Sequence, residues 1–162
     1  RLAGELADGF VAHPFHTEAY LRQVLLPAIE QGLARSGRMR TAVSLYTTAF
    51  VVTAPEEELF VRSQIAFYAS TPSYRPVMAL HGWQAVAEEL SGLASRGRWG
   101  EMPTLVSDDM LTAFAVVSSP SELPLRLRQR YHGLADRLSL YQPFIPGQKD
   151  AFWQAYLARM RD

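Results

Sequence analysis

The segment from Val43 to Thr53 (VSLYTTAFVVT) constrains the fold more than any other part of the chain. It is rich in β-branched and aromatic residues. It ends in a continuous apolar run, Ala49 to Val52, where a half-exposed strand would alternate apolar with polar. A run of that kind suits a strand covered on both faces, and such strands sit in parallel sheets beneath helices. Two shorter segments share the character: Phe10 to Ala12, and the alternating stretch Asp136 to Gln142.

Helical patterns separate these three strands. Leu2 and Leu6 mark the last turns of a helix that Asp8 and Gly9 break. Thr17 is placed to cap a helix carrying Leu21, Val24, Leu25, Ala28, Ile29 and Leu33, closed by Gly37, with a kink or break expected at Pro27. Pro55 and Glu56 to Glu58 open another, running to about Ala69. Tyr74 to Leu80, the amphipathic Trp83 to Ser95 and the segment opened by Asp108 and Asp109 follow. Further helices are expected from Ser119 to His132 and from Lys149 to Met160.

Strands joined through helices imply right-handed crossovers, hence an α/β fold with neighbouring parallel strands. A chain of 162 residues with 48% apolar content supports one core and one domain. Three strands are too few for a closed barrel of eight or an ordinary doubly wound sheet. Either partner segments are missing or copies assemble.

Sixteen basic residues balance sixteen acidic ones, so no net field draws the chain to nucleic acid or to anionic lipid. No stretch approaches the roughly 20 apolar residues that span a bilayer. There are no cysteines, which removes disulfides, thiolate nucleophiles and cysteine-based metal sites and suits a cytoplasmic protein. The start, RLAGELAD, lacks the pattern of a signal peptide and reads as a chain entered in mid-element. Phosphate-loop, dinucleotide-fold, esterase and zincin motifs are all missing from the sequence.

The string LAGELADGF (2–10) resembles the luciferase-like monooxygenase family, in which such a helix leads into the sixth barrel strand. HPFHT (13–17), Tyr20-Leu21, LPA (26–28), QIAFY (64–68), TPSYRP (71–76), HGW (81–83), RGRW (96–99), AFAV (113–116) and DRLSLY (136–141) are similar to its F-420-dependent oxidoreductase branch. The resemblance covers nearly the whole chain. It implies strands six to eight, with their helices, of a TIM-type (β/α)8 barrel that is incomplete in this chain. Residues 1–162 would form a single partial domain with a helical insertion at about 70–118. It also implies F-420 as cofactor, FMN as the alternative, a small-molecule substrate, and either a missing N-terminal half or self-association. Ser118-Ser119-Pro120 stands where members commonly carry Gly-Thr-Pro, and the phosphate-binding turn that many members carry just upstream of the first helix lies outside this sequence.

Barrel enzymes place their chemistry at the C-terminal ends of strands, which directs attention to His13–Thr17, Thr53-Ala54 and Tyr141–Phe144. His13 and His16 are the candidate catalytic residues, as polar partners of cofactor or substrate or as acid and base near neutral pH. The competing assignment is a loop or capping role. The expected pocket comprises Asp8, Gly9, Pro14, Phe15, Tyr74, Arg75 and Tyr141, with Arg75 offering a planar fork to a phosphate or carboxylate. No third ligand accompanies the His13–His16 pair, so no metal is expected. The acidic pairs and Glu56–Glu58 are explained by helix starts and solvated faces. Trp83 and Trp99 are assigned to helix packing.

Overall fold

The structure, a computed structural model, describes residues 1–161. A short helix α1 (Leu2–Leu6) leads into β1 (Gly9–Val11). Helix α2 (Glu18–Tyr20) passes through a π-helical stretch, Leu21–Leu25, into α3 (Leu26–Ser36). The central strand β2 (Ser44–Val52) is followed by α4 (Pro55–Ala69), α5 (Arg75–Leu80), α6 (Gln84–Ser95), α7 (Asp108–Phe114) and β3 (Ala115–Val117). Then come α8 (Leu123–Tyr131), β4 (Arg137–Leu140) and α9 (Asp150–Arg161).

The local signals act as their chemistry dictates. The Thr17 hydroxyl accepts the Tyr20 N–H at 3.2 Å and starts α2, and Gly37, at φ +66°, closes α3. The kink expected at Pro27 takes the form of the π-helical turn directly before it, which absorbs the missing N–H while the helix continues.

All strand pairs are parallel. Ala12 and Ser118 donate their N–H groups to the carbonyls of Tyr46 and Val52, whereas Asp136 and Tyr141 donate to those of Leu45 and Ala49. In a parallel strand each residue's N–H and C=O point to one side, alternating along the chain. The even-numbered edge of β2 therefore takes β1 and then β3, and the odd-numbered edge takes β4. The segment expected to be helical from about 70 to 118 thus ends in a strand. The reason is length: β1 pairs only with Ser44–Tyr46 of the nine-residue β2, and β3 satisfies the backbone groups of Phe50–Val52 that remain.

The two faces of β2 differ. Leu45, Ala49 and Val51 are buried beneath helices, packing with Ile29, Leu33, Leu123, Leu127, Tyr131 and Tyr156. On the opposite face Phe50 and Val52 are buried under α4 through Val61, Ile65 and Ala66. Lower on that same face the sheet stays open. Tyr46 and Thr48 are half-buried, the Thr48 hydroxyl bonds that of Ser139 at 2.8 Å, and the Arg137 guanidinium lies 5.2 Å from the Tyr46 ring centroid. Val11, in the same row, is 73% exposed.

Helices α1 and α3 meet backbone to backbone. A Cβ on Gly4 would collide with the Ile29 carbonyl oxygen, and one on Gly32 with that of Arg1. Both positions need glycine for close approach.

Candidate active site

The loop from His13 to Thr17 leaves the C-terminal end of β1 and is held from three directions. Its first side chain, His13, accepts the Phe15 backbone N–H at Nδ1, 3.1 Å away. A backbone N–H only donates, so the neutral ring carries its proton on Nε2. That nitrogen lies 3.0 Å from the Tyr74 hydroxyl oxygen and donates to it. The two rings stack at 4.7 Å between centroids, and Tyr68 meets the His13 ring edge-on at 4.8 Å. Burial holds the His13 pKa below its ordinary value, which favours this neutral form.

The neighbouring Phe15 is buried and stacks on Phe114 at 4.4 Å, tying the loop to the end of α7. Thr17, already accepting from Tyr20, shares a hydrogen bond with His81 Nε2 at 2.7 Å, and the His81 ring lies flat on Trp83 at 4.5 Å.

His16 points elsewhere. It is 4% exposed and sits on the helix-covered face of the sheet, between Thr47 of β2 and Tyr131 of α8. Its Nδ1 donates to the His13 carbonyl at 2.7 Å, and Nε2 faces the Tyr131 hydroxyl at 3.3 Å. Burial pushes its pKa down to about 4, outweighing the His13 carbonyl bond that favours the charged form. Burial likewise pushes Tyr131 up to about 12. The two histidines of the loop therefore do not form one pair aimed at one ligand, because successive turns of the loop send them to opposite faces of the sheet.

From β4, Tyr141 enters the same cluster as His13. Its ring packs on Phe50 at 4.7 Å, and its hydroxyl donates to the Gln64 side-chain carbonyl at 3.1 Å and meets the Tyr68 hydroxyl at 2.9 Å. Burial, then the bond to Tyr141, pushes Tyr68 up to about 12, so this phenol keeps its proton at ordinary pH. Leu140, one residue earlier, packs on the other face with Leu138.

The structure brings together His13, Phe15, Tyr74 and Tyr141 from the sequence-based set. It separates Asp8 and Gly9, which lie at the N-terminal end of β1, about 10 Å along the strand from the loop. Asp8 there accepts the Ser44 N–H with its carbonyl, and its exposed carboxylate meets Arg38. Their motif belongs to the helix-to-strand junction. Pro14 is half-buried and its carbonyl accepts the His16 N–H at 2.9 Å. Arg75 is exposed on the first turn of α5 and makes no hydrogen bond or ion pair among the described residues.

Sequence reasoning left Tyr68 and Gln64 out of the expected pocket, although they begin and end the family-like string QIAFY and lie on α4 one helical turn apart. It also missed a carboxylate centre. Glu57, assigned only to a helix start, accepts the Thr53 N–H at 2.7 Å, the Thr53 hydroxyl at 2.9 Å and the Gln142 amide at 2.7 Å, and pairs with Lys149. Burial raises its pKa, but the bonds from Lys149 and Thr53 together leave it lowered. Glu57, Gln142 and Lys149 line a cavity of about 270 Å³ with Val51, Phe60 and Ile145, at the C-terminal ends of β2 and β4. No group of three or more His, Asp or Glu able to hold a metal ion occurs among the described residues. No helix among them is long and apolar enough to cross a membrane.

A sequence profile described as luciferase-like monooxygenase matches residues 1–137. An uncharacterised protein of Mycobacterium tuberculosis is 43% identical over 143 residues, 85% of this chain and 42% of that protein. A 5,10-methylenetetrahydromethanopterin reductase of Archaeoglobus fulgidus is 25% identical over 158 residues, 92% of this chain and 46% of that protein. The structure of the coenzyme F-420 dependent tetrahydromethanopterin reductase from Methanopyrus kandleri superposes with a TM-score of 0.71 at 21% identity. That match covers 97% of this chain and 45% of the other, and it establishes likeness of fold. The chain spans less than half the length of these relatives. By the profile match over most of its length, the chain belongs to the luciferase-like monooxygenase family.

Proposed function

We propose that the chain is part of an oxidoreductase in which a bound deazaflavin, F-420, or FMN as the alternative, exchanges hydride with a small organic substrate. The observation that carries this reading is the cluster of His13, Tyr68, Tyr74 and Tyr141 at the C-terminal ends of β1 and β4, where barrel enzymes hold their ligands. Family membership supplies the class of chemistry.

Aromatic rings with polar edges, as in this cluster, suit contact with a flat, polar-edged ring system. The ring centroids of His13, Tyr68 and Tyr74 lie within 5.7 Å of one another, His13 and Tyr74 stacked and Tyr68 edge-on to both. The cofactor, when bound, supplies the hydride chemistry. His13, Tyr68 and Tyr74 would hold and orient the ring, and the buried Phe15 would anchor the loop behind them. His16 is a positioning residue, fixing the His13 carbonyl from the far side of the sheet. Arg75, exposed beside Tyr74, is the guanidinium available on this rim for the cofactor's phosphate.

On this reading β1, β2 and β4 are barrel strands six, seven and eight, and the other five strands come from an N-terminal half. Both outer sheet edges lack a partner among the described residues, and the open face exposes Val11. Such edges favour association. The second reading, a non-catalytic half-barrel that only associates, rests on those same edges. Equilibrium dialysis against F-420 and FMN, with the mass in solution measured on the same samples, separates the two. Retention of either cofactor is expected. A chain that associates and retains neither supports the second reading.

A further inference from the structure

The hydroxyl protons of the cluster can be assigned one by one. Tyr141 gives its proton to the Gln64 carbonyl, 3.1 Å away. Tyr68, 2.9 Å from Tyr141, must then be the donor in that pair, because the Tyr141 proton is already committed. His13 gives its Nε2 proton to the Tyr74 oxygen, since Nδ1 is occupied by the Phe15 N–H. Only the Tyr74 O–H has no acceptor among the described residues, and its bond with His13 lies at the exposed side of the cluster.

Two consequences follow for His13. With one ring nitrogen accepting from the backbone and the other donating to Tyr74, it has no lone pair or proton left for a ligand without breaking a bond that shapes the loop. It polarises Tyr74 instead: a donor bound to the phenol oxygen strengthens the phenol as a donor in turn. We propose that Tyr74, with His13 as its positioning residue, is the ligand-contacting donor of this site. Its O–H binds an sp2 or anionic oxygen, a carbonyl or enolate, on the molecule lying against His13 and Tyr68. The inference rests on the reading of this cluster as a ligand site, and it moves the ligand contact from the histidine to the tyrosine.

The oxygen can belong to the cofactor ring or to the substrate. Titration of the full chain with FMN and F-420, and separately with 4-nitrophenolate as a bare oxyanion probe followed by its absorbance, distinguishes the sources. Tyr74→Phe keeps the ring and removes the proton, and should weaken 4-nitrophenolate by about tenfold or more. His13→Gln should weaken it by a smaller factor, about threefold. Weakening of FMN or F-420 by Tyr74→Phe assigns the oxygen to the cofactor, and unchanged cofactor binding assigns it to the substrate. Two-bond ¹H–¹⁵N spectra should show His13 protonated at Nε2 and bare at Nδ1. Failure of 4-nitrophenolate to bind at millimolar concentration overturns the proposal. So does equal binding by Tyr74→Phe, loss on Arg75→Gln alone, or the opposite tautomer. A chain that discriminates the phenolate but retains no cofactor would sink the oxidoreductase reading and leave this one standing.

Discussion

At His16 the fold buries an imidazole that in the unfolded chain titrates at 6.5 and in the folded chain at about 4. Below pH 6.5 the unfolded chain takes up a proton there and the folded chain does not. Stability is therefore full above pH 6.5, falls as the pH drops, and levels off below about 4. The integrated loss is roughly 3 kcal/mol for this residue. His13 and His81, both lowered by burial, act in the same direction. Urea unfolding of His16→Gln, which can still donate to the His13 carbonyl, should show a pH dependence flatter by about that amount. An unchanged slope would place the acid sensitivity elsewhere. The sequence named His13 and His16 as a pair because they lie three residues apart at a strand end. It could not show that the turn at Pro14 sends one toward Tyr68 and Tyr74 and the other beneath α8.

At the level of elements, the junction of α1 with α3 depends on two glycines that a sequence pattern presents only as letters of a motif. Gly32→Ala drives a methyl into the Arg1 carbonyl, and overpacking of this kind costs about 1–3 kcal/mol. The thermal midpoint should fall, and amides of residues 2–7 should exchange faster while those of β2 keep their protection. Loss of protection across both would mean that α1 is no separate module. Helix α4 illustrates the limits of periodicity. It is apolar on most of its circumference, with Val61 and Ile65 buried but Leu59 and Phe60 exposed, so no single stripe marks its packed face. Tyr68 and Gln64 gained their meaning only when α4 folded back over Phe50. Caps, by contrast, were legible, because Thr17, Gly37 and Pro55 act through bonds within a few residues of themselves.

For the molecule as a whole, the open face of the sheet is the feature that any assembly must resolve. Val11 is 73% exposed there, so Val11→Lys should leave the stability of the isolated chain within about 0.5 kcal/mol. If copies associate through this face, sedimentation should show the variant reverting to the monomer mass. Association that survives the change would put the interface elsewhere. By itself the sequence determined the alternation of helices and strands, the buried character of β2 and the parallel order that follows, since these depend on local periodicity and on chain handedness. Only the tertiary structure decided that β3 completes the edge of β2, that His16 is a buried support, that Asp8 and Gly9 lie far from the loop, and that Glu57 gathers Thr53, Gln142 and Lys149. Each of these joins residues distant in sequence or separates residues close in it. Hydrogen-bond demand and burial, which act through space, settle such pairings, whereas a sequence pattern records only position along the chain.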